Sequence, residues 1–143
     1  MAVRLNPYLV FDGNAREAVE FYRRALDAEL VNLSTFGDMP GNPDHPTPPE
    51  VKERVMHALM KVGETELMIS DTFPGSPYTV GNNVCVTVIA DSAELTKKFF
   101  EALQDGGQVV MPVQETFWSP AYGMVRDKFG VTFQLSTEQP QQI

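Results

Sequence analysis

The chain has 143 residues, is 43% hydrophobic and 21% charged, and carries a formal net charge of −8. That length suits one domain, or two small modules sharing a core, and so acidic a chain repels phosphate backbones, which argues against nucleic acid as a partner. The apolar runs are strand-sized, so none is expected to span a membrane. The opening "MAVRLNPYLVF" lacks the apolar core and cleavage site of a signal peptide. A cytoplasmic protein is expected. The single cysteine, Cys85, agrees with a reducing compartment and allows neither an internal disulfide nor a cysteine-based zinc site.

In chain order, "RLNPYLVF" (4–11) alternates around Leu5 and Leu9 and predicts a first strand, with Pro7 pushing it toward an edge. "FDGN" is turn chemistry, and Asn14 with Glu17 forms a variant capping box for the helix that follows. Ala18, Phe21, Tyr22, Ala25 and Leu26 give that helix one apolar face. Residues 28–36 predict a second strand. The segment 37–53 holds prolines at 40, 43, 46, 48 and 49, which deny it sheet hydrogen bonds. It reads as an extended loop, with a short helical turn at 49–53, of a kind that serves as a lid, a partner contact or a disordered segment. Residues 53–62 and 65–71 predict a third and fourth strand around a turn at Gly63–Glu64.

A Pro- and Gly-rich linker, 72–82, leads to a β-branched fifth strand at 83–90. Asp91 and Glu94 repeat the capping pattern, and Leu95, Phe99, Ala102 and Leu103 repeat the apolar helix face. "DGG" (105–107) stops this helix. Strands at 108–118, 121–127 and 131–136 follow, and the tail 137–143 reads as frayed. The order is βαβββ twice, module one at about 4–71 and module two at about 83–136. Asn14 aligns with Asp91 and Tyr22 with Phe99, a spacing of 77 (91 − 14), while "LMIS" (67–70) and "FQLS" (133–136) are spaced by 66. The difference reflects the proline-rich segment carried only by module one. The expected fold is α+β: two such modules pairing into curved mixed sheets around a cleft, as one domain, with the cleft as the natural place for a ligand.

The segments "DGNAREAVEFYRRAL", "VMHALMKVGETELMISD" and "MPVQETFWSPAYGMVRDKFGVTFQL" resemble the PhnB-like branch of the glyoxalase/bleomycin-resistance (vicinal oxygen chelate) superfamily over nearly the whole chain. The resemblance implies paired modules around a U-shaped cleft and a homodimer. It also implies that metal-using relatives carry their ligands on the first and last strands of each module. Those positions fall here at Tyr8, Met68, Cys85 and Gln134. None is an imidazole or a carboxylate, so the usual four-ligand divalent site is not expected.

His57 lies mid-strand with Val55 and Leu59 on its face, and reads either as a hydrogen-bonded cleft histidine or as an acid/base or single metal ligand. Glu115, beside Phe117 and Trp118, is its candidate partner, either as a base of raised pKa or as an exposed strand-end carboxylate. His45, in the proline loop, reads as exposed. Cys85, among valines, reads as a small buried side chain. Tyr8, Phe117, Trp118 and Tyr122, with Cys85 and Gln134, are the expected ligand contacts. Two functions follow from these residues. One is a binding protein holding a small, partly aromatic or apolar molecule in the cleft without the usual four-ligand metal site. The other is a lyase-, isomerase- or dioxygenase-type enzyme using His57 and Glu115 with acid/base chemistry or a divalent metal.

Overall fold

The structure is a computed structural model that describes residues 2–38, 46–73 and 75–139. The chain divides into two compact units, Met1–Thr79 and Val80–Ile143. The first holds β1 (Tyr8–Phe11), α1 (Ala15–Ala25), β2 (Glu29–Thr35), a 3-10 turn (Phe36–Asp38), α2 (Pro49–Lys52), β3 (Val55–Val62) and β4 (Thr65–Asp71). The second holds β5 (Val86–Ala90), α3 (Ala93–Gln104), β6 (Gln108–Gln114), β7 (Tyr122–Arg126) and β8 (Thr132–Thr137). Each unit is a four-stranded mixed sheet, ordered β1-β4-β3-β2 and β5-β8-β7-β6. In both, first and last strands pair parallel and the other neighbours antiparallel. This is the expected α+β architecture. His45 lies outside the described residues, as does much of the segment read as a lid.

One helix covers one face of each sheet. On α1, Ala15, Ala18, Val19, Phe21, Tyr22 and Ala25 are buried against the inward positions of β3 and β4, among them Ala58, Met60, Leu67 and Ile69. Tyr22, Phe11, Met60 and Ile69 are at most 1% exposed, each burial worth about 1.5–3 kcal/mol. On α3, Thr96, Phe99, Phe100 and Leu103 do the same over Val125, Phe133 and Leu135. Gly123 on β7 is required here, because a Cβ there would sit 2.8 Å from Cε2 of Phe100. Alternation along the strands then leaves Tyr8, His57, Leu59 and Met68 on the helix-free face of the first sheet. On the second sheet it leaves Thr87, Tyr122, Met124, Arg126 and Gln134.

The helix starts differ from expectation. Asn14 is the N-cap of α1 but makes no side-chain capping bond. The Asp71 carboxylate, 5% exposed at the end of β4, does that work: Oδ1 accepts from the backbone N–H of Gly13 (2.7 Å) and Ala15 (3.0 Å), and Oδ2 from Val55 N–H (2.9 Å). A charged acceptor from a neighbouring strand outcompetes the local amide. In unit two, Ser92 rather than Asp91 caps α3, accepting from Leu95 N–H at 3.1 Å. The helix repeat is therefore spaced by 78 (92 − 14), not 77. Nearby, hydrogen bonds from Arg54 and then Thr72 hold the Asp12 carboxyl below its usual range and close the loop after β1.

Other boundaries moved too. β1 begins at Tyr8, after Pro7. β6 ends at Gln114, because Thr116 and Ser119 close a turn in which Thr116 N–H donates to Ser119 C=O at 2.9 Å. Thr137, assigned to the frayed tail, ends β8 with 3% exposure. Asp71→Ala should lower stability by about 2–4 kcal/mol in urea unfolding, because three backbone donors lose their acceptor. Asn14→Ala should change it by less than about 0.5 kcal/mol.

Candidate ligand-binding site

In the first unit, Met68 on β4 faces Tyr8 on one side and Leu59 on the other. Tyr8, 44% exposed, lies with its ring centroid 5.9 Å from that of His57, and its hydroxyl is 3.5 Å from Nδ1. That separation is long for a hydrogen bond, so both groups keep capacity for a third partner. Val55, expected beside His57, is fully buried instead. A bulge causes this: Ser34 pairs with His57 but Thr35 pairs with Val55, which leaves Met56 as the extra residue and breaks the alternation.

In the second unit, five of the expected contact residues form one chain. The Phe117 and Trp118 rings meet edge-on at 4.8 Å, and Trp118 and Tyr122 at 5.3 Å. The Tyr122 hydroxyl donates to Gln134 Oε1 at 2.8 Å, and Gln134 Nε2 donates to Cys85 Sγ at 3.2 Å. Phe117 is 91% exposed and Trp118 48%, whereas Tyr122 is buried. The result is an aromatic rim leading down to an amide and a thiol on the sheet. Cys85 is exposed, contrary to expectation. β5 begins one residue later, at Val86, so Cys85 has a sheet neighbour's side chain beside it but no helix over it.

Residues outside the expected set hold the rim. Ser119 Oγ, fully buried, has one proton that Ala121 C=O (2.8 Å) and Thr137 C=O (3.0 Å) share, and it accepts from Thr137 N–H (2.9 Å). Thr137 Oγ1 lies 2.6 Å from Thr96 Oγ1 on α3. The turn carrying Phe117 and Trp118 is thus pinned to the end of β8. The T-x-x-S spacing at 116–119 was the signal for such a turn. Glu115 is exposed, just beyond β6, and His57 belongs to the other unit.

The family model for the glyoxalase/bleomycin resistance protein/dioxygenase superfamily matches residues 4–135. The chain belongs to that superfamily. Within it, the protein falls in the PhnB-like branch. It is 32% identical to protein YjdN of Escherichia coli, over 96% of this chain and 99% of that one. Among solved structures, protein PA1353 from Pseudomonas aeruginosa is 37% identical with a TM-score of 0.85, covering 97% of this chain and 100% of its own. The PhnB protein from Bacillus cereus, named a putative 3-demethylubiquinone-9 3-methyltransferase, is 26% identical with a TM-score of 0.75, covering 94% and 99%.

Strand pairing corrects one of the four positions where metal-using members of the superfamily carry ligands. Tyr8 pairs with Met68, but Gln134 pairs with Thr87 rather than Cys85. Thr87 is therefore the counterpart of Tyr8, at a spacing of 79 (87 − 8). The spacing falls to 78 at the helices because the turn after β5 is one residue shorter than the turn after β1. The set becomes a phenol, a thioether, a hydroxyl and an amide, which does not fit a hard divalent ion. Among the described residues, no three His, Cys, Asp or Glu side chains form a metal-binding group. Being exposed, Cys85 should react with Ellman's reagent in the folded protein, at a rate within about tenfold of a free thiol and without denaturant.

Proposed function

We propose that this protein binds a small, partly aromatic or apolar molecule on the helix-free faces of its sheets, and that it holds the molecule without the four-ligand metal site of its metal-using relatives. The observation that carries this reading is the chain Phe117–Trp118–Tyr122–Gln134–Cys85. Exposed rings already held edge-to-face against one another offer a preordered apolar surface at little entropic cost, and the amide at their foot orients a polar group. The donor chemistry at Tyr8, Met68, Thr87 and Gln134 supports the absence of a divalent centre. Resemblance to the family extends the proposal to a cytoplasmic homodimer.

Trp118 is the only tryptophan, so its emission reports on the rim directly. Titration with a panel of small aromatic compounds should quench or shift that emission saturably. Phe117→Ala should weaken binding roughly 3- to 30-fold, in line with the loss of one aromatic contact. A panel that raises neither a fluorescence change nor a rise in melting temperature would reject the proposal.

A second reading is favoured by one contact, the approach of the Tyr8 hydroxyl to His57 Nδ1. There the protein is an enzyme of lyase, isomerase or dioxygenase type, with His57 moving a proton. Methyl transfer, the activity for which the Bacillus cereus relative is named, draws less support. The turns after β1 and β5 read D-G-N and D-S, and neither is a glycine-rich loop for a nucleotide-type cofactor. Untagged, chelator-treated protein should show no stabilisation by Mn²⁺, Ni²⁺ or Zn²⁺. A melting-temperature rise with one of these ions that His57→Ala abolishes would overturn the metal-free reading in favour of the enzyme.

A further inference from the structure

Arg126 ends β7 on the same helix-free face as Tyr122 and Gln134, opposite Thr132 on β8 and Gln108 on β6. Its neighbour Val125 is fully buried under α3, which sends the Arg126 side chain the other way. The other arginines have evident roles. Arg4 pairs with Glu66, Arg23 with Glu20 and Arg54 with Asp12; Arg24 donates to Glu20 C=O, and Arg16 is exposed on α1. Arg126 is half-buried, and no hydrogen bond or ion pair occupies its guanidinium among the described residues.

The guanidinium has a built seat. It lies over Gly130, at φ +89°, where an added Cβ would be 3.5 Å from Nη2 and 2.8 Å from Val80 Cγ1. The hairpin turn beneath is rigid: Asp127 Oδ1 accepts from Phe129 N–H and Val131 N–H, both at 2.9 Å, and Gly130 N–H donates to Asp127 C=O at 2.9 Å. The positive φ and the approach of Val80 call for glycine here, and the turn lies in ordinary contact range of the planar cation. A partly buried guanidinium with no acceptor among the described residues keeps its donors available for an anion.

We infer that Arg126 is the anion subsite of the proposed ligand site, and that the ligand is an aromatic or apolar body carrying a carboxylate. This rests on the binding reading above. Tyr122 and Arg126 lie four positions apart on β7, roughly 13 Å along the strand. A ligand with its ring against Phe117 and Trp118 therefore reaches the guanidinium through a linker of several bonds, passing Met124 and Gln134. Arg126 then takes the carboxylate in a charge-assisted pair. A monoanion suits the site, because the chain's own charge of −8 penalises a dianion more.

The test compares 6-phenylhexanoate with 6-phenylhexan-1-ol by Trp118 fluorescence, at low salt, on wild type, Arg126→Gln, Arg126→Lys and Phe117→Ala. On wild type the carboxylate should bind at least about tenfold tighter than the alcohol. Arg126→Gln should shrink that preference to less than about threefold with the alcohol's affinity unchanged, and Arg126→Lys should keep part of it. Phe117→Ala should weaken both probes alike. Binding of both probes to wild type without a preference overturns this inference and leaves the binding reading standing. A preference that Arg126→Gln leaves intact, at unchanged melting temperature, also overturns it. Binding of neither probe overturns the inference together with its parent reading. Should Arg126→Gln fail to fold, the wild-type preference and its retention in Arg126→Lys decide the matter.

Discussion

Parallel pairing of the first and last strands closes each unit, and everything at the candidate site takes its position from it. In the first unit the closure sets Tyr8 against Met68; in the second it sets Thr87 against Gln134. The end of each last strand then runs beneath the start of a helix. At that point the units solve the same problem with different chemistry. Asp71 supplies a carboxylate that gathers three backbone donors. Thr137, its counterpart 66 residues on (137 − 71), supplies a hydroxyl that meets Thr96 and accompanies the Ser119 network. Each is a buried polar group with its partners satisfied, which makes it stabilising rather than costly.

The difference has a functional consequence. A charged cap in the first unit is committed to the helix start and to Val55. The hydroxyl network in the second unit extends instead into the turn that carries Phe117 and Trp118. The two sheet faces are built alike, but in the second Thr116, Ser119 and Thr137 together tie the aromatic turn to the end of β8. The first kept a sparser face, with Tyr8 beside His57. The residues behind the two readings of function, aromatic rim and histidine, thus lie in different units.

The register shift at the first strands matters for the same reason. Counting from the helices placed Cys85 where metal-using relatives carry a ligand; counting from the strand pairing places Thr87 there. Neither residue is a ligand for a hard cation. What Cys85 gains instead is a bond from the Gln134 amide at the foot of the aromatic chain. The polar atoms of this face are thus linked to one another, and Arg126 lies at its far end.

The sequence alone determined the element order, the duplication and the side of each helix that faces inward. These depend on periodicity and turn residues, which are local properties: the apolar spacing from Ala18 to Leu26, the strand-forming runs, the glycine stops. It also picked out Phe117, Trp118, Tyr122, Gln134 and Cys85, though as separate candidates. Tertiary structure decided how they connect, because the Trp118–Tyr122 contact and the Gln134 bonds join segments apart in the chain. It also decided which residue caps a helix, since a carboxylate 57 residues from Asn14 (71 − 14) displaces the local side chain from that role. Val55 and Thr87 moved for a geometric reason: one bulge and one shortened turn change which face a residue occupies or which partner it meets, and neither leaves a mark in the apolar pattern.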